Sequence, residues 1–168
     1  MQNDKMILFY GGPFSQWYRA EMVVNGVKYN TAEQFMMAMK AQFFGDTEAQ
    51  AKIMATKDPA KQKAIGREVK GFKVDEWSKV SRRFVYAGNY AKFTQNSDLY
   101  VELMNTGDLE IVEASPYDKI WGIGLGETDP RAFDKTQWQG LNWLGECVMK
   151  VRADLRLKDA LSEKAKNT

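Results

Sequence analysis

The 168-residue chain contains no histidine and a single cysteine, Cys147. These absences exclude Ser-His-Asp and Cys-His catalysis, histidine metal sites and cysteine-based zinc sites. One thiol forms no intramolecular disulfide, and the apolar, helix-like stretch from Leu144 to Val151 predicts that Cys147 is buried and structural. Any chemistry must therefore use Glu, Asp, Lys, Arg, Tyr or Ser side chains or a bound cofactor; we expect neither a metal nor a cofactor.

The chain also lacks an apolar run of 18 residues and a signal-peptide-like apolar segment near Met1. We therefore expect a soluble, cytoplasmic protein with no membrane partner. The 24 Lys+Arg and 22 Asp+Glu residues leave a net charge of +2, too close to neutral to predict nucleic-acid binding from charge alone. Only four prolines and no low-complexity stretch occur, which predicts one domain over residues 1–157 and a polar tail, 158–168, that frays from Ser162.

Hydrophobic periodicity and capping signals predict a mainly α domain with a small β element, an α+β fold. Two short strands are expected at Ile7–Tyr10 and at Ile111-Val112, with a hairpin over Glu21–Tyr29 that turns at Asn25-Gly26. Helices are expected from Thr31, which with Gln34 has the spacing of a capping box, to Phe44, and then over residues 47–55, 59–69, 75–92 and 97–105. A last helix follows Asn142 as its cap.

Glu33 and Lys40 are the first candidates for chemistry, because seven residues on a helix return to nearly the same face. The many Phe and Met residues around them predict that this helix is buried on much of its circumference. A desolvated Lys40 near another cation would have a lowered pKa and could act as an amine nucleophile, with Glu33 stabilising positive charge or moving a proton. The alternative is that both are surface charges on an amphipathic helix.

A second candidate region is the loop Glu113–Gly126, which combines carboxylates, a hydroxyl and an indole with Pro116 and three alternate glycines. Polar loops of this kind commonly carry ligand chemistry. The glycines do not form a dinucleotide fingerprint, because no helix start follows them. Trp121 in this loop and Trp17 in the N-terminal part lie in turn-rich segments, where an indole either joins the core or stacks on a heterocyclic base.

An ordered set of segments from about residue 7 to residue 155 resembles the YbiA-like, or NADAR, family of riboflavin-intermediate N-glycosidases. The matching segments are Phe14-Ser15, Tyr29, Ala32-Glu33-Gln34-Phe35 to Met39-Lys40-Ala41, Gly66-Arg67-Glu68-Val69, Lys92-Phe93-Thr94-Gln95-Asn96, Glu113-Ala114-Ser115-Pro116-Tyr117-Asp118, Trp121-Gly122-Ile123-Gly124 and Asn142-x-Leu144-Gly145. The family often has Asn at the position of Gln16 and His at that of Gln34, and the second departure indicates that this position is not the acid-base group.

The resemblance implies a single-domain, YbiA-like orthogonal helical fold and hydrolysis of the bond between ribose and an exocyclic amine of a base. The substrate would be a phosphorylated ribosylamino-pyrimidine of riboflavin synthesis or ADP-ribose on guanine, so ADP-ribosylated DNA is a possible partner. Lys40 could form a Schiff base with the sugar; in the competing route Glu33 or Asp118 supports direct hydrolysis. A different class of function is a module that binds ADP-ribose or NAD without cleaving it.

The expected catalytic residues are thus Glu33, Lys40 and Asp118. The expected substrate contacts fall into four groups: indoles on the base (Trp17, Trp121), polar groups on sugar hydroxyls (Ser15, Asn142), cations on phosphate (Arg67, Lys92) and further motif residues (Tyr29, Glu113, Ser115, Gly122).

Overall fold

The computed structural model describes residues 1–168, which form six α-helices and four short strands and confirm the α+β class. In chain order the elements are β1 (Met6–Phe9), β2 (Arg19–Val24), β3 (Val27–Thr31), α1 (Ala32–Phe43), α2 (Thr47–Ala55), α3 (Pro59–Arg67), α4 (Val74–Gln95), α5 (Ser97–Asn105), β4 (Glu110–Glu113) and α6 (Trp143–Lys166). None of these helices combines the length and apolar character that a membrane span requires.

Residue contacts divide the chain into two compact units. One unit comprises residues 11–100 and contains the β2–β3 hairpin and helices α1 to α4. The other comprises residues 1–10 and 101–168 and contains β1, β4 and α6.

The hairpin of the 11–100 unit turns at Asn25-Gly26, as the sequence predicts. Both residues have positive φ, 50° at Asn25 and 79° at Gly26, which is the geometry of a two-residue turn that matches strand twist. The strands pair antiparallel from Arg19 opposite Thr31 to Val24 opposite Val27. β3 therefore leads directly into the cap of α1.

Side-chain caps set the starts of α1, α2 and α3. Thr31 accepts a hydrogen bond from the Gln34 amide at 2.9 Å, while the Gln34 side chain accepts one from the Asn30 amide at 2.8 Å. The predicted capping box is therefore present, except that the Gln34 side chain bonds the amide of Asn30, one residue before the N-cap Thr31. Asp46 and Asp58 cap α2 and α3 in the same way, each through a carboxylate oxygen.

Helix α1 is the centre of this unit, and nine of its twelve residues are buried. Glycines allow two neighbouring helices to approach it closely. A Cβ at Gly66 of α3 would overlap the sulfur of Met37, and one at Gly88 of α4 would lie 2.7 Å from the Phe35 ring. This close packing fixes which residues of α3 and α4 reach the polar side chains of α1.

In the other unit β1 pairs parallel with β4, from Met6 opposite Glu110 to Phe9 opposite Glu113. Helix α6 packs on β4. The predicted apolar stripe of α6 is confirmed as buried (Leu144, Val148, Val151, Leu155). The single cysteine, Cys147, is buried as well. The core beside the sheet consists of small and branched apolar side chains (Met6, Leu8, Val112, Ala114, Ile123, Leu125, Ala132).

The C-terminal segment differs from its prediction. Helix α6 continues to Lys166, whereas fraying was expected from Ser162. The residues after Leu157 are mostly good helix formers, and Lys164 and Lys166 lie in the last turn, where positive charge favours the helix. The domain boundary at residue 157 stays a prediction.

We predict that Gly145→Ala destabilises the protein, because a Cβ at this position would overlap the Ile111 carbonyl oxygen and the Asn142 amide. Relief requires a shift of α6 from β4, with an expected loss of about 1–3 kcal/mol in the free energy of unfolding. Urea denaturation provides the measurement. Gly11→Ala is the matched control, since nothing lies within 4 Å of its added Cβ; equal stability of the two variants would contradict the prediction.

Candidate active site

Glu33 and Lys40 are both buried on α1, with exposed fractions of 6% and 8%. The alternative that they are surface charges is therefore wrong, because the helix is enclosed on most sides by the rest of its unit. Glu33 lies in the first turn, where the positive end of the helix dipole favours a carboxylate, and Lys40 lies in the last turn.

Lys40 has the electrostatic environment that the sequence analysis anticipated. Burial lowers the pKa of its ammonium group; the carboxylate of Glu33 opposes this shift, and the guanidinium of Arg67 adds to it. Arg67 is itself exposed at the end of α3, next to the close contact between Gly66 and Met37. The structure thus brings Glu33 and Arg67 within electrostatic range of Lys40.

The loop before β2 is attached to α1 and α4 by hydrogen bonds. The Gln16 carbonyl accepts from the Glu33 amide at 3.0 Å, and the Ser15 carbonyl accepts from the Lys92 ammonium at 2.9 Å. The Ser15 hydroxyl accepts from the Trp17 amide at 3.2 Å. Trp17 is 45% exposed, with the Lys63 ammonium 5.8 Å from its ring centroid, so its indole remains available to stack on a planar group.

Lys92 and Tyr29 are enclosed by the protein. Lys92 has no exposed surface, and its ammonium group lies near the rings of Tyr18 and Phe93 besides donating to Ser15. Tyr29 is 4% exposed, packs edge-on against Phe35, and has a pKa raised by burial. Their substrate contacts stay predictions, and the geometry favours a supporting role for both.

Two further buried polar residues beneath this loop, Gln16 and Asn89, were not among the predicted site residues. Asn89 is fully buried on α4, and its side-chain nitrogen Nδ2 donates two hydrogen bonds of 2.8 Å, one to Oε1 of Gln16 and one to the Val85 carbonyl. Gln16 in turn lies 3.9 Å from the sulfur of Met36. Together they fix the backbone that holds the first turn of α1.

In the 113–126 loop of the other unit, Asp118 organises a tight turn. One of its carboxylate oxygens accepts from the Ile120 amide at 2.9 Å and from the Trp121 amide at 2.8 Å. Trp121 is half-buried and packs edge-on against Trp143, with ring centroids 5.7 Å apart. Asp118 thereby sets the backbone position from which the Trp121 indole projects.

Gly122 and Ser115 contact other residues of the same loop. A Cβ at Gly122 would lie 3.0 Å from the carbonyl oxygens of Glu113 and Asp118 and from the Ser115 side chain. The Ser115 hydroxyl accepts from the Tyr117 amide at 3.3 Å. Gly122 thus makes room for neighbouring backbone, and substrate contacts at Glu113, Ser115 and Gly122 stay predictions.

Asn142 corrects one prediction. It stands at the N-cap position of α6, but its φ of 54° is left-handed and its side chain makes no capping bond. Its amide oxygen accepts from the Glu113 amide, and its amide nitrogen donates to the Ile111 carbonyl, both at 3.0 Å. The side chain therefore fastens β4, and with 1% exposure it has little surface to offer a sugar hydroxyl.

The predicted catalytic residues are divided between the two units. Glu33 and Lys40 belong to residues 11–100, and Asp118 belongs to the other unit. That Asp118 and Trp121 face Lys40 across a sugar stays a prediction. Two surface cavities, one along α6 near Leu157 and one at residues 106–110, contain none of the predicted site residues.

Comparisons with known proteins identify the class. The chain is 41% identical over 167 residues to an N-glycosidase of Acanthamoeba polyphaga mimivirus, covering 92% of this chain and 98% of the relative. It is 28% identical to an N-glycosidase of Nostoc punctiforme, covering 86% of each chain. A riboflavin biosynthesis protein of Vibrio vulnificus is also 28% identical, and the match covers 36% of its length.

The fold also has a solved counterpart. An NMR structure of the E. coli protein YbiA matches with a TM-score of 0.78 and 25% identity, covering 95% of this chain and 90% of that one. The relatives named N-glycosidase support glycosidase activity for this chain, which favours an enzyme over a non-catalytic binding module. A model described as the NADAR domain matches residues 8–156, and the chain belongs to the NADAR domain family.

We predict that Asp118→Ala and Asp118→Asn differ in stability. Alanine removes the acceptor of two backbone amides, so we expect a loss of about 2 kcal/mol in the free energy of unfolding, against less than about 1 kcal/mol for asparagine, which keeps an acceptor oxygen. Urea denaturation followed by tryptophan fluorescence measures both. If alanine proves as stable as asparagine, Asp118 does not organise this turn.

Proposed function

We propose that the chain hydrolyses the bond between ribose and an exocyclic amine of a base, with the Lys40 amine taking over the anomeric carbon as a Schiff base. The observation that carries the proposal is the environment of Lys40, which is buried, has a lowered pKa, and lies in the fields of Glu33 and Arg67. A lysine must be neutral to attack carbon, and burial favours its neutral form.

The chemistry suits a sugar held on an exocyclic nitrogen. The lone pair of that nitrogen expels the ring oxygen, which gives an open sugar with a C=N bond. The neutral Lys40 amine adds to the same carbon, a proton moves to the nitrogen of the base, and the base leaves as a free amine. Water then adds to the Lys40 Schiff base, and collapse of the adduct releases the sugar aldehyde and the lysine.

Glu33 is the group best suited to move protons in these steps. It is buried on the same helix as Lys40, and its negative charge acts on the Lys40 ammonium. It would accept the proton that Lys40 loses on adding to carbon and return it to a leaving group. In the competing route without a covalent step, Glu33 or Asp118 would stabilise an oxocarbenium-like sugar while a carboxylate activates water.

The charge distribution supports a phosphorylated substrate. Residues 11–100, which hold Lys40, contain 14 Lys+Arg and nine Asp+Glu, whereas the rest of the chain contains ten and 13. An excess of positive charge raises the local concentration of anions, and Arg67 is exposed close to Lys40. A ribosylamino-pyrimidine phosphate fits this distribution, as does ADP-ribose on guanine, and the name of the Vibrio vulnificus relative supports the first.

The substrate is tested by incubating the purified protein separately with the ribosylamino-pyrimidine phosphate and with guanine-ADP-ribosylated DNA. Free base is then measured by chromatography. Release from one substrate identifies its class, and release from neither would contradict the proposal.

We predict that Lys40→Ala abolishes base release, with kcat lowered by more than about 10³-fold. Borohydride added during turnover should trap the sugar on Lys40 in the wild type, as seen by peptide mass spectrometry. Glu33→Gln should lower kcat by about 10²- to 10⁴-fold. Full activity in Lys40→Ala, together with no adduct in the wild type, would contradict the Schiff-base route and favour direct hydrolysis without a covalent step.

Two controls separate chemistry from folding. Lys40→Arg retains a cation but forms no Schiff base, so it should be inactive and untrapped. Lys52→Ala removes an exposed lysine whose partner is the nearby Glu48, and it should leave activity and trapping unchanged.

A further inference from the structure

Phe72 lies directly against the Lys40 amine, although it belongs to a turn with no functional signal in the sequence. The Lys40 ammonium nitrogen is 4.2 Å from the centroid of the Phe72 ring. The ring is 41% exposed while Lys40 is 8% exposed, so the buried amine lies beside a ring that reaches the protein surface. This is the shortest of the distances between a lysine ammonium and an aromatic ring described for this protein.

The segment that carries Phe72 is held in place by a buried carboxylate. Asp46 accepts from the Lys70 amide at 2.9 Å through one oxygen and from the Ala49 amide at 3.0 Å through the other. Gly71 then takes a φ of 76°, a left-handed conformation that glycine adopts without strain. The Phe72 ring finally packs edge-on against Phe44, with centroids 5.5 Å apart.

The contact has two physical effects on the amine. The face of a phenyl ring attracts a cation, so it favours the ammonium form and fixes its position. The Phe72 ring also occupies one side of the Lys40 nitrogen. A carbon that forms a bond of about 1.46 Å to this nitrogen must therefore approach from another side. Among charged groups, Glu33 of α1 and Arg67 of α3 act on the same amine.

We propose that Phe72 is a positioning residue for Lys40: its ring holds the amine and dictates the side from which the anomeric carbon reaches it. The catalytic part of this inference rests on the function proposed above for Lys40. The exposed part of the ring then borders the path of the substrate, so Phe72 also helps to determine which groups fit beside the reacting carbon.

Competitive labelling of Lys40 with acetic anhydride over a range of pH tests the contact without any substrate. Phe72→Leu keeps an apolar cover but removes the attractive ring face, so the pKa of Lys40 should fall by about half a unit. Phe72→Tyr restores the ring face and should return the wild-type value. An unchanged pKa in Phe72→Leu would overturn the contact as a feature of the protein in solution.

Phe43→Leu is a closely matched control. Phe43 is 42% exposed and also packs edge-on against Phe44, but its ring contacts are with Phe44 and Trp77 only. It should leave the labelling curve of Lys40 unchanged. The same shift in both leucine variants would mean that the aromatic cluster acts through packing, and it would overturn the specific role of Phe72.

Positioning is measured by kinetics at a pH above the Lys40 pKa, where the amine is neutral in every variant. Phe72→Ala removes the wall beside the amine and should lower kcat by about 10- to 100-fold with a smaller change in KM. Phe72→Tyr should retain kcat, as should Phe43→Ala. Wild-type kcat in Phe72→Ala would overturn the positioning role.

The outcomes separate this inference from the proposed function. If Lys40→Ala is inactive and Phe72→Ala is fully active, the positioning role fails while the Schiff-base function stands. If Lys40→Ala is fully active while Phe72→Leu shifts the labelling curve, the function fails while the contact stands.

Discussion

The enclosure of α1 is the constraint on which the rest of the 11–100 unit depends. A helix with nine of twelve residues buried leaves its polar side chains little access to bulk water, so each needs a specific environment. Gln34 meets this need with bonds to the backbone carbonyls of Ile53 and Thr56. The environment of Lys40 compensates its charge only in part: the carboxylate of Glu33 favours the ammonium form, but burial lowers the pKa of Lys40. A group whose charged form is disfavoured in this way is suited to reaction more than to stability.

Much of the fold could be predicted from local chemistry. Thr31, Asp46 and Asp58 are side-chain caps, and Asn25-Gly26 forms a turn that few other pairs can form, so the element boundaries around them follow from the sequence. The end of α6 could not be predicted equally well, because a charged segment rich in good helix formers is compatible with either a helix or a frayed tail.

The site was harder to predict than the fold. Glu33 and Lys40 could be identified because an apolar helix surrounds them, but the burial of Lys92 and Asn142 could not be derived from residue type. Lysine and asparagine at turn-rich or helical positions are usually exposed, and only the packed backbone gives these two their partners. Phe72 was missed because its position depends on a turn and on long-range contacts, neither of which leaves a periodic pattern.

The bonds of Asp46 have a consequence for acid conditions. Backbone hydrogen bonds from Lys70 and Ala49 lower the pKa of its carboxyl group, so these bonds stabilise the fold above the ordinary pKa of an aspartate and are lost as pH falls through the lowered value. One protonation event would weaken both the cap of α2 and the bond to the segment that carries the Phe72 ring. The carboxylate that caps α2 therefore also couples acid conditions to the segment whose ring lies against Lys40.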